Sequence, residues 1–360
     1  MARDILKSNN SIVIAGQRPA FTTGDRTGSD MNGAYMSTVQ SVSVGFSQQR
    51  QKSKQVGSKG LAVNDITRMP DVDLSINYYY TPAMLNENML GLINDQISGK
   101  SDFFSDYDNQ DQNFYIVNHQ NQESDIIRDK VAVVNDLNSD TEIISIGNAF
   151  LTNYSLGFSV GSQPIVSTSY KCSNVRMEKG NFDECENPAI NLQSGNNQGV
   201  GVVQLENADV SGFGDYTGIN RFDAPLCSPT ELTPILQNLQ IGGAPIAGVT
   251  HLQSFSFSIP INRVDLFGLG SDYPYGRKVQ YPISSSVAVE FLVSGLGTGD
   301  IAALITNESD YDFGIRIPDT GEDYVHTFSF SGLKLESSNY TMNVNEQMTY
   351  SLSFSYEITN

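Results

Sequence analysis

The chain has 360 residues, and its 40 acidic side chains outnumber 21 basic ones to give a formal net charge of −19. That balance repels nucleic-acid phosphates and anionic membranes, which argues against a binder driven by Lys and Arg, though not against DNA that slides past without sticking. Ser, Asn, Gly, Tyr and Phe are abundant and Trp is absent, a composition of short strands and turns rather than of a helical enzyme.

The first residues, MARDILKSNNSIVIAG, carry early basic side chains, but the apolar stretches are too short and broken for a signal-peptide core. No run approaches the ~20 apolar residues of a membrane helix, so the expectation is a soluble protein made in a cytoplasm. Residues 1–35 are polar and Gly-rich apart from SIVIAG and are expected to form an extended arm. Alternation then begins: in 38–47 (TVQSVSVGFS), Val42, Val44 and Phe46 take every second place, as in a half-buried strand. The polar segment 48–60 (QQRQKSKQVGSKG) reads as a basic loop bearing Arg50, Lys52, Lys54 and Lys59. A second alternating strand is expected over 72–80, with Val72, Leu74, Ile76 and Tyr78 on one face. A helix is expected over 82–93, with Leu85, Met89 and Leu92 on one stripe and Pro82 near its start.

Residues 98–125 are rich in Asp, Asn, Gln and Ser and read as an exposed loop. Strands over 143–160 and 165–170 are expected about a turn at Gly161-Ser162-Gln163-Pro164. Residues 178–250 are the least regular part of the chain.

A long-period repeat organises these pieces. Gln40-Ser41-Val42-Ser43-Val44 matches Gln253-Ser254-Phe255-Ser256-Phe257, and a Gly-Ser pair follows each at the same distance, Gly57-Ser58 and Gly270-Ser271. Pro70 and Pro282 each precede a further alternating strand. Short helical stretches (83–93 and 300–306) and closing strand pairs (151–160 with 165–170, 333–344 with 348–356) complete both halves. The expected organisation is an arm (1–35), a first unit (36–177), a linker or small insertion (178–245) and a second unit (246–360). Two β units with exposed strand edges invite pairing with other chains. A ring satisfies every edge, and three chains of two units each give six units per ring.

At 39–93, 147–175 and 251–295 the sequence resembles the phage major tail tube proteins, in forms that carry the tube domain twice. The carrying segments are VQSVSVGFSQQRQKSKQVGSKGLAVNDITRMPDVDLSINYYYTPAMLNENMLGLI, GNAFLTNYSLGFSVGSQPIVSTSYKCSNV and HLQSFSFSIPINRVDLFGLGSDYPYGRKVQYPISSSVAVEFLVSG. The resemblance implies a mainly β fold of two tandem β-sandwich or rolled-sheet units, each flanked by a short helix. It implies inner strands that join across subunits, and rings that stack into a tube for genome ejection. The implied partners are the chain itself in homotrimeric rings, other tail proteins, and double-stranded DNA passing through the lumen without specific binding. No membrane and no cofactor are implied, and the implied location is the tail of a virion assembled in the host cytoplasm. With about four inner strands per unit, as the family implies, ~24 strands at ~4.8 Å spacing and ~45° tilt put the barrel backbone at a radius of roughly 26 Å.

Arg50, Lys52, Lys54 and Lys59 cluster in a chain that is otherwise acidic. They are candidates for ring stacking, where they would meet acidic groups on the next ring. A contact to DNA in the bore and a merely solvated hairpin are the alternatives. Chemistry is thin elsewhere. His119, His251 and His326 lie far apart without HExxH, no GxSxG elbow occurs, and Gly295, Gly297 and Gly299 make a turn rather than a phosphate cradle. Asp102, Asp106, Asp108 and Asp111 lack the Gly and final Glu of an EF-hand and read as a solvated loop. Cys172, Cys185 and Cys227 make a poor disulfide or zinc framework, and free thiols are expected rather than a Cys172–Cys185 bridge. No enzyme, metal or cofactor is expected. The competing readings are a tail-terminator, distal-tail or baseplate ring protein, a carbohydrate-binding surface protein, and a glycan hydrolase with paired acids.

Overall fold

A computed structural model describes residues 11–17, 33–48, 50–53, 56–57, 63–66, 71–81, 84–90, 92, 111–119, 141–179, 185–190, 202–203, 226–227, 233–237, 240–241, 244–245, 250–269, 273–293, 311–318, 325–341 and 349–358. The described chain is mainly β. Its first part forms β1 (Ser11–Gln17), β2 (Gly33–Tyr35), β3 (Val39–Ser47), β4 (Arg50–Ser53), β5 (Val63–Ile66), β6 (Asp71–Tyr79), helix α1 (Leu85–Met89), β7 (Gln112–His119), β8 (Thr141–Ser159), β9 (Ser162–Cys172) and β10 (Asn174–Lys179). Short strands follow: β11 (Cys185–Glu186), β12 (Val202–Val203), β13 (Thr233–Gln237), β14 (Gln240–Ile241) and β15 (Ala244–Pro245). The last part holds β16 (Thr250–Pro260), β17 (Arg263–Leu266), β18 (Gly276–Val279), β19 (Ile283–Val293), β20 (Tyr311–Pro318), β21 (Val325–Thr341) and β22 (Thr349–Ile358).

Eight of these strands form one antiparallel band in the order β3-β6-β9-β8-β16-β19-β22-β21. The long strands β8 and β21 each serve two ladders. The later residues of β8 lie in the band, while 141–149 pair with β7, which in turn pairs with β1. In the same way, β21 pairs with β22 through 334–341 and with β20 through 325–333, and β20 pairs with β13.

The irregularities of the ladders also fall in matching places. A bulge between Val39 and Ser41 in β3 has its counterpart between Leu252 and Ser254 in β16. One between Leu151 and Asn153 in β8 answers to one between Leu335 and Ser337 in β21. Each long strand bends where it changes ladder at a residue of positive φ, Asn148 (51°) in β8 and Gly332 (74°) in β21. Asn and Gly are the residue types that adopt this conformation most cheaply. The Asn148 side chain is held there, donating to Asp111 Oδ2 at 2.6 Å and accepting from the Ile190 N–H at 2.7 Å.

Alternation explains the core. In β6 the even positions Val72, Leu74, Ile76 and Tyr78 are buried and the odd ones more exposed, as the sequence pattern predicts. One hydrophobic cluster runs through both halves, with Tyr154 and Phe158 of β8 meeting Phe257 and Phe255 of β16. Phe328 and Phe330, on the part of β21 outside the band, cover Phe257 at ring separations of 5.4 and 5.1 Å. The helix α1 is shorter than expected from 82–93. It is pinned by Asn86, which accepts from the Ser37 N–H and donates back to the Ser37 carbonyl.

Five expectations need correction. The SIVIAG run inside the arm 1–35 is strand β1, with Val13, Ile14 and Ala15 buried, because three consecutive apolar residues gain more from a sheet covered on both faces than from solvent. The segment 98–125 contains β7, whose Phe114, Tyr115, Ile116 and Val117 are buried, so only its flanks carry the polar composition that suggested a loop. The basic segment 48–60 enters a β-hairpin, β4 with β5. The turn after β8 consists of Val160 and Gly161 (φ +81°), and β9 has begun by Ser162. The strand β13, inside the stretch read as linker or insertion, pairs with β20. The second helix expected at 300–306 lies outside the described residues.

Phe257, ringed by Tyr154, Phe255, Phe328 and Phe330, anchors the middle of this core. Phe257→Ala is expected to lower unfolding free energy by about 3–5 kcal/mol, read from chemical denaturation. A loss below about 1 kcal/mol would mean that the two halves are not packed through this residue.

Candidate functional site

The face of the band opposite the core is built by the same alternation from small polar residues. Every second residue of each band strand points to it. Register aligns these residues into rows across strands: Ser41 faces Asn77, Asn77 faces Ser167, Ser167 faces Ser155, Ser155 faces Ser258, Ser258 faces Ser286, and Ser286 faces Ser355. A neighbouring row sets Gly157, Ser256, Ala288, Ser353 and Ser337 side by side. Side chains bond along these rows: Asn77 Nδ2 donates to Ser41 Oγ at 2.9 Å, Ser167 Oγ donates to Asn77 Oδ1, and Ser258 Oγ donates to Asn153 Oδ1 at 3.2 Å. The hydroxyls make a wettable surface without net charge.

Charges on this face are few and lean acidic. Asp71, Asp73, Glu290, Glu336 and Glu357 stand there with Lys171 and Lys334. Lys171 Nζ lies 2.7 Å from Asp265 Oδ2 and 3.5 Å from Asp71 Oδ1. Such a surface offers phosphates little to hold.

Over one end of the band, the β17–β18 hairpin clamps the place where the two halves join. Arg277, almost fully buried, donates to the carbonyls of Lys171 (2.8 Å) and Cys172 (3.3 Å) and to Asp265 Oδ1 (3.1 Å). Arg263 Nε donates to the Leu151 carbonyl at 3.0 Å, and both guanidinium groups lie over the Phe150 ring. Charge-assisted bonds of this kind fix position strongly.

The stacking candidates fare unevenly. Arg50 is exposed on β4, opposite Ile66, and its Nη2 donates to Gln48 Oε1 at 3.3 Å. Lys52 stands on β4 opposite Asn64, while Lys54 and Lys59 lie outside the described residues. Of the acidic cluster, Asp102, Asp106 and Asp108 also lie outside, and Asp111 binds Asn148. Among the described residues no group of three or more His, Cys, Asp or Glu is placed to hold a metal. Cys172, Cys185 and Cys227 are buried and no disulfide joins them. Burial pushes the Cys172 and Cys185 thiols up to about 12, which makes them poor nucleophiles.

Behind the band, Glu87 of α1 is fully buried, and its Oε1 accepts from the hydroxyls of Tyr78 (2.9 Å) and Tyr154 (3.4 Å). Burial raises its pKa to about 7, against the opposing pull of its hydrogen bonds. Sequence reading missed this group because it sees a helix stripe, not what faces it. It missed the serine face for a related reason, since Ser at every second place reads as filler between apolar residues.

No family model and no curated protein matches the chain. Among solved structures, the tail tube of phage SPP1, determined by solid-state NMR and cryo-EM, is similar at a TM-score of 0.33 and 8% identity, over 49% of this chain and 81% of that one. A likeness of that size does not identify a family.

The raised pKa of Glu87 has a definite sign. Between about pH 4.5 and 7 the folded chain keeps a proton that the unfolded chain releases, so this group's contribution falls as pH rises and is constant above about 7. Relative to Glu87→Gln, the wild type is expected to lose on the order of 3 kcal/mol between pH 4.5 and 8, measured by denaturation at each pH. A stability difference that does not vary with pH would show that the carboxyl is not protonated in the fold.

Proposed function

We propose that this chain is a non-enzymatic structural protein that assembles with copies of itself into rings, stacked as a phage tail tube through which DNA passes. The carrying observation is the eight-strand band: an apolar face packed into a core, an opposite face of neutral hydroxyls, and two end strands whose outer edges pair with no described residue of the chain. Unpaired edges of this length are a hazard in a monomer and an assembly device in an oligomer. The matched pairing order and bulges of the two halves support a tube unit present twice. Four band strands per unit are those needed for a 24-strand barrel of three copies, whose roughly 26 Å backbone radius leaves a bore wider than a duplex.

In this reading the serine face lines the bore. Hydroxyls replace water at the wall without attracting phosphates, and the acidic lean discourages adhesion. Lys52 on β4, with Lys54 and Lys59 further along the sequence, keeps the stacking role.

Electron microscopy of the purified chain tests the proposal. Open-ended tubes are expected. Single rings that never stack would favour a terminator, distal-tail or baseplate role, and dispersed monomers would overturn self-assembly. The lining is tested by Ser256→Lys with Ser286→Lys, both exposed positions. The variant is expected to form tubes that retain duplex DNA at low salt and shield it from nuclease, while wild-type tubes retain none. DNA that binds the variant but stays open to nuclease would place the face on the outside.

A further inference from the structure

We propose that the outer edge of β3 pairs with the outer edge of β21 in a second copy, in the register that joins β16 to β8 within the chain. This rests on the self-assembly reading above and specifies its contact.

The internal junction supplies the template. It joins the first band strand of the second half, β16, to the last band strand of the first half, β8. By pairing order their counterparts are β3 and β21, the two ends of the band. The correspondence is fixed residue by residue. The bulges match, and the side chains at the two bulges behave alike: Gln40 Nε2 donates to the Thr38 carbonyl (3.1 Å) and Gln253 Nε2 approaches the His251 carbonyl (3.5 Å). The following hairpins match as well, since Arg50 faces Ile66 as Arg263 faces Val279. Within the chain Ser256 faces Gly157, Phe257 faces Leu156, and Ile259 faces Tyr154. Carried over, Ser43 faces Thr341, Val44 faces Tyr340, and Phe46 faces Ser338 of the second copy.

Burial shows what is missing at the free edge. Ile259, in the internal junction, is 5% exposed, whereas its counterpart Phe46 is 74% exposed. A large aromatic ring left in water at the end strand of a ladder is the mark of an absent neighbour. The clamp has a counterpart too. Arg263 reaches across the internal junction to the Leu151 carbonyl, and Arg50 holds the same place on β4, so its acceptor in the second copy is the Leu335 carbonyl. Lys334 stands where the internal junction has Phe150, so the contact of Arg263 with that ring is not repeated. This assigns Arg50 to the seam within a ring rather than to stacking between rings.

Cysteine pairs read the register. Ser43→Cys with Thr341→Cys uses two exposed positions, and the native thiols are buried and do not compete. A disulfide forms only between Cα atoms within about 7 Å, so a slipped pair is distinguishable. Mild oxidation is expected to give a covalent ladder on a non-reducing gel that stops at three copies, while Ser43→Cys with Asn339→Cys gives far less. Arg50→Ala in the first pair is expected to lower the crosslinked yield several-fold, and an unchanged yield removes Arg50 from the seam. Rings seen by microscopy in which the slipped pair crosslinks better, or neither pair does, overturn the proposed register and leave self-assembly standing. A ladder that runs past three copies contradicts the three-copy ring. Single copies by light scattering, with no crosslink, overturn the self-assembly reading and this inference with it.

Discussion

Every second residue on the open edge of a β-sheet turns a backbone donor and acceptor outward that need a partner, and the arrangement of this chain follows from that need. Inside the chain it is met at the junction of β8 with β16, where the last band strand of one half receives the first band strand of the other. The junction is reinforced on one side by aromatic packing and at one end by Arg263 and Arg277, whose bonds to backbone carbonyls hold the following hairpin against the neighbouring half. The two ends of the band carry the same kinds of edge, covered by no strand among the described residues. In the proposed assembly a second copy of the chain would meet the same need at both ends of the band.

The strict two-residue period of a strand ties the two faces of the band together. A residue inserted into or removed from β6 or β16 would turn its apolar row outward and its polar row into the core, so the smooth serine face and the aromatic core stand or fall in one register. The bulges and the left-handed residues Asn148 and Gly332 are where that period is broken, and those of β8 and β21 fall near where a long strand leaves the band for a second ladder. There the strand folds back over the core, and Phe328 and Phe330 reach Phe257. On the same covered side, α1 carries Glu87 to the tyrosines of β6 and β8, a buried polar contact beside the apolar core.

Much of this was legible locally. The alternation in 72–80 gives the buried positions of β6, and the Gln-anchored match between 40–44 and 253–257 names two strands that occupy corresponding places in the band. Other parts were not legible, for physical reasons. β7 is an apolar run flanked by Asp and Asn, so composition averaged over 98–125 hides it. β1 is expected as an arm because nothing local reveals that β7 will pair with it from far along the chain. The serine rows exist only once distant strands are set side by side. The basic segment was legible as a cluster of charge, whereas the seam role proposed for Arg50 rests on its counterpart Arg263, whose bond across the junction shows only in the fold.

Hydrogen–deuterium exchange, followed by mass spectrometry on the dispersed and the assembled chain, tests most directly whether the band continues from copy to copy. In dispersed chains the amides of β3 and of the last residues of β21 should exchange far faster than those of β8 and β16 at the internal junction. On assembly they should slow to rates comparable with that junction, while the outer ladder of β1 and β7 changes little. If the assembled particle leaves both end strands exchanging as fast as the dispersed chain does, copies meet through some other surface and the account of the band as a self-joining strip is wrong.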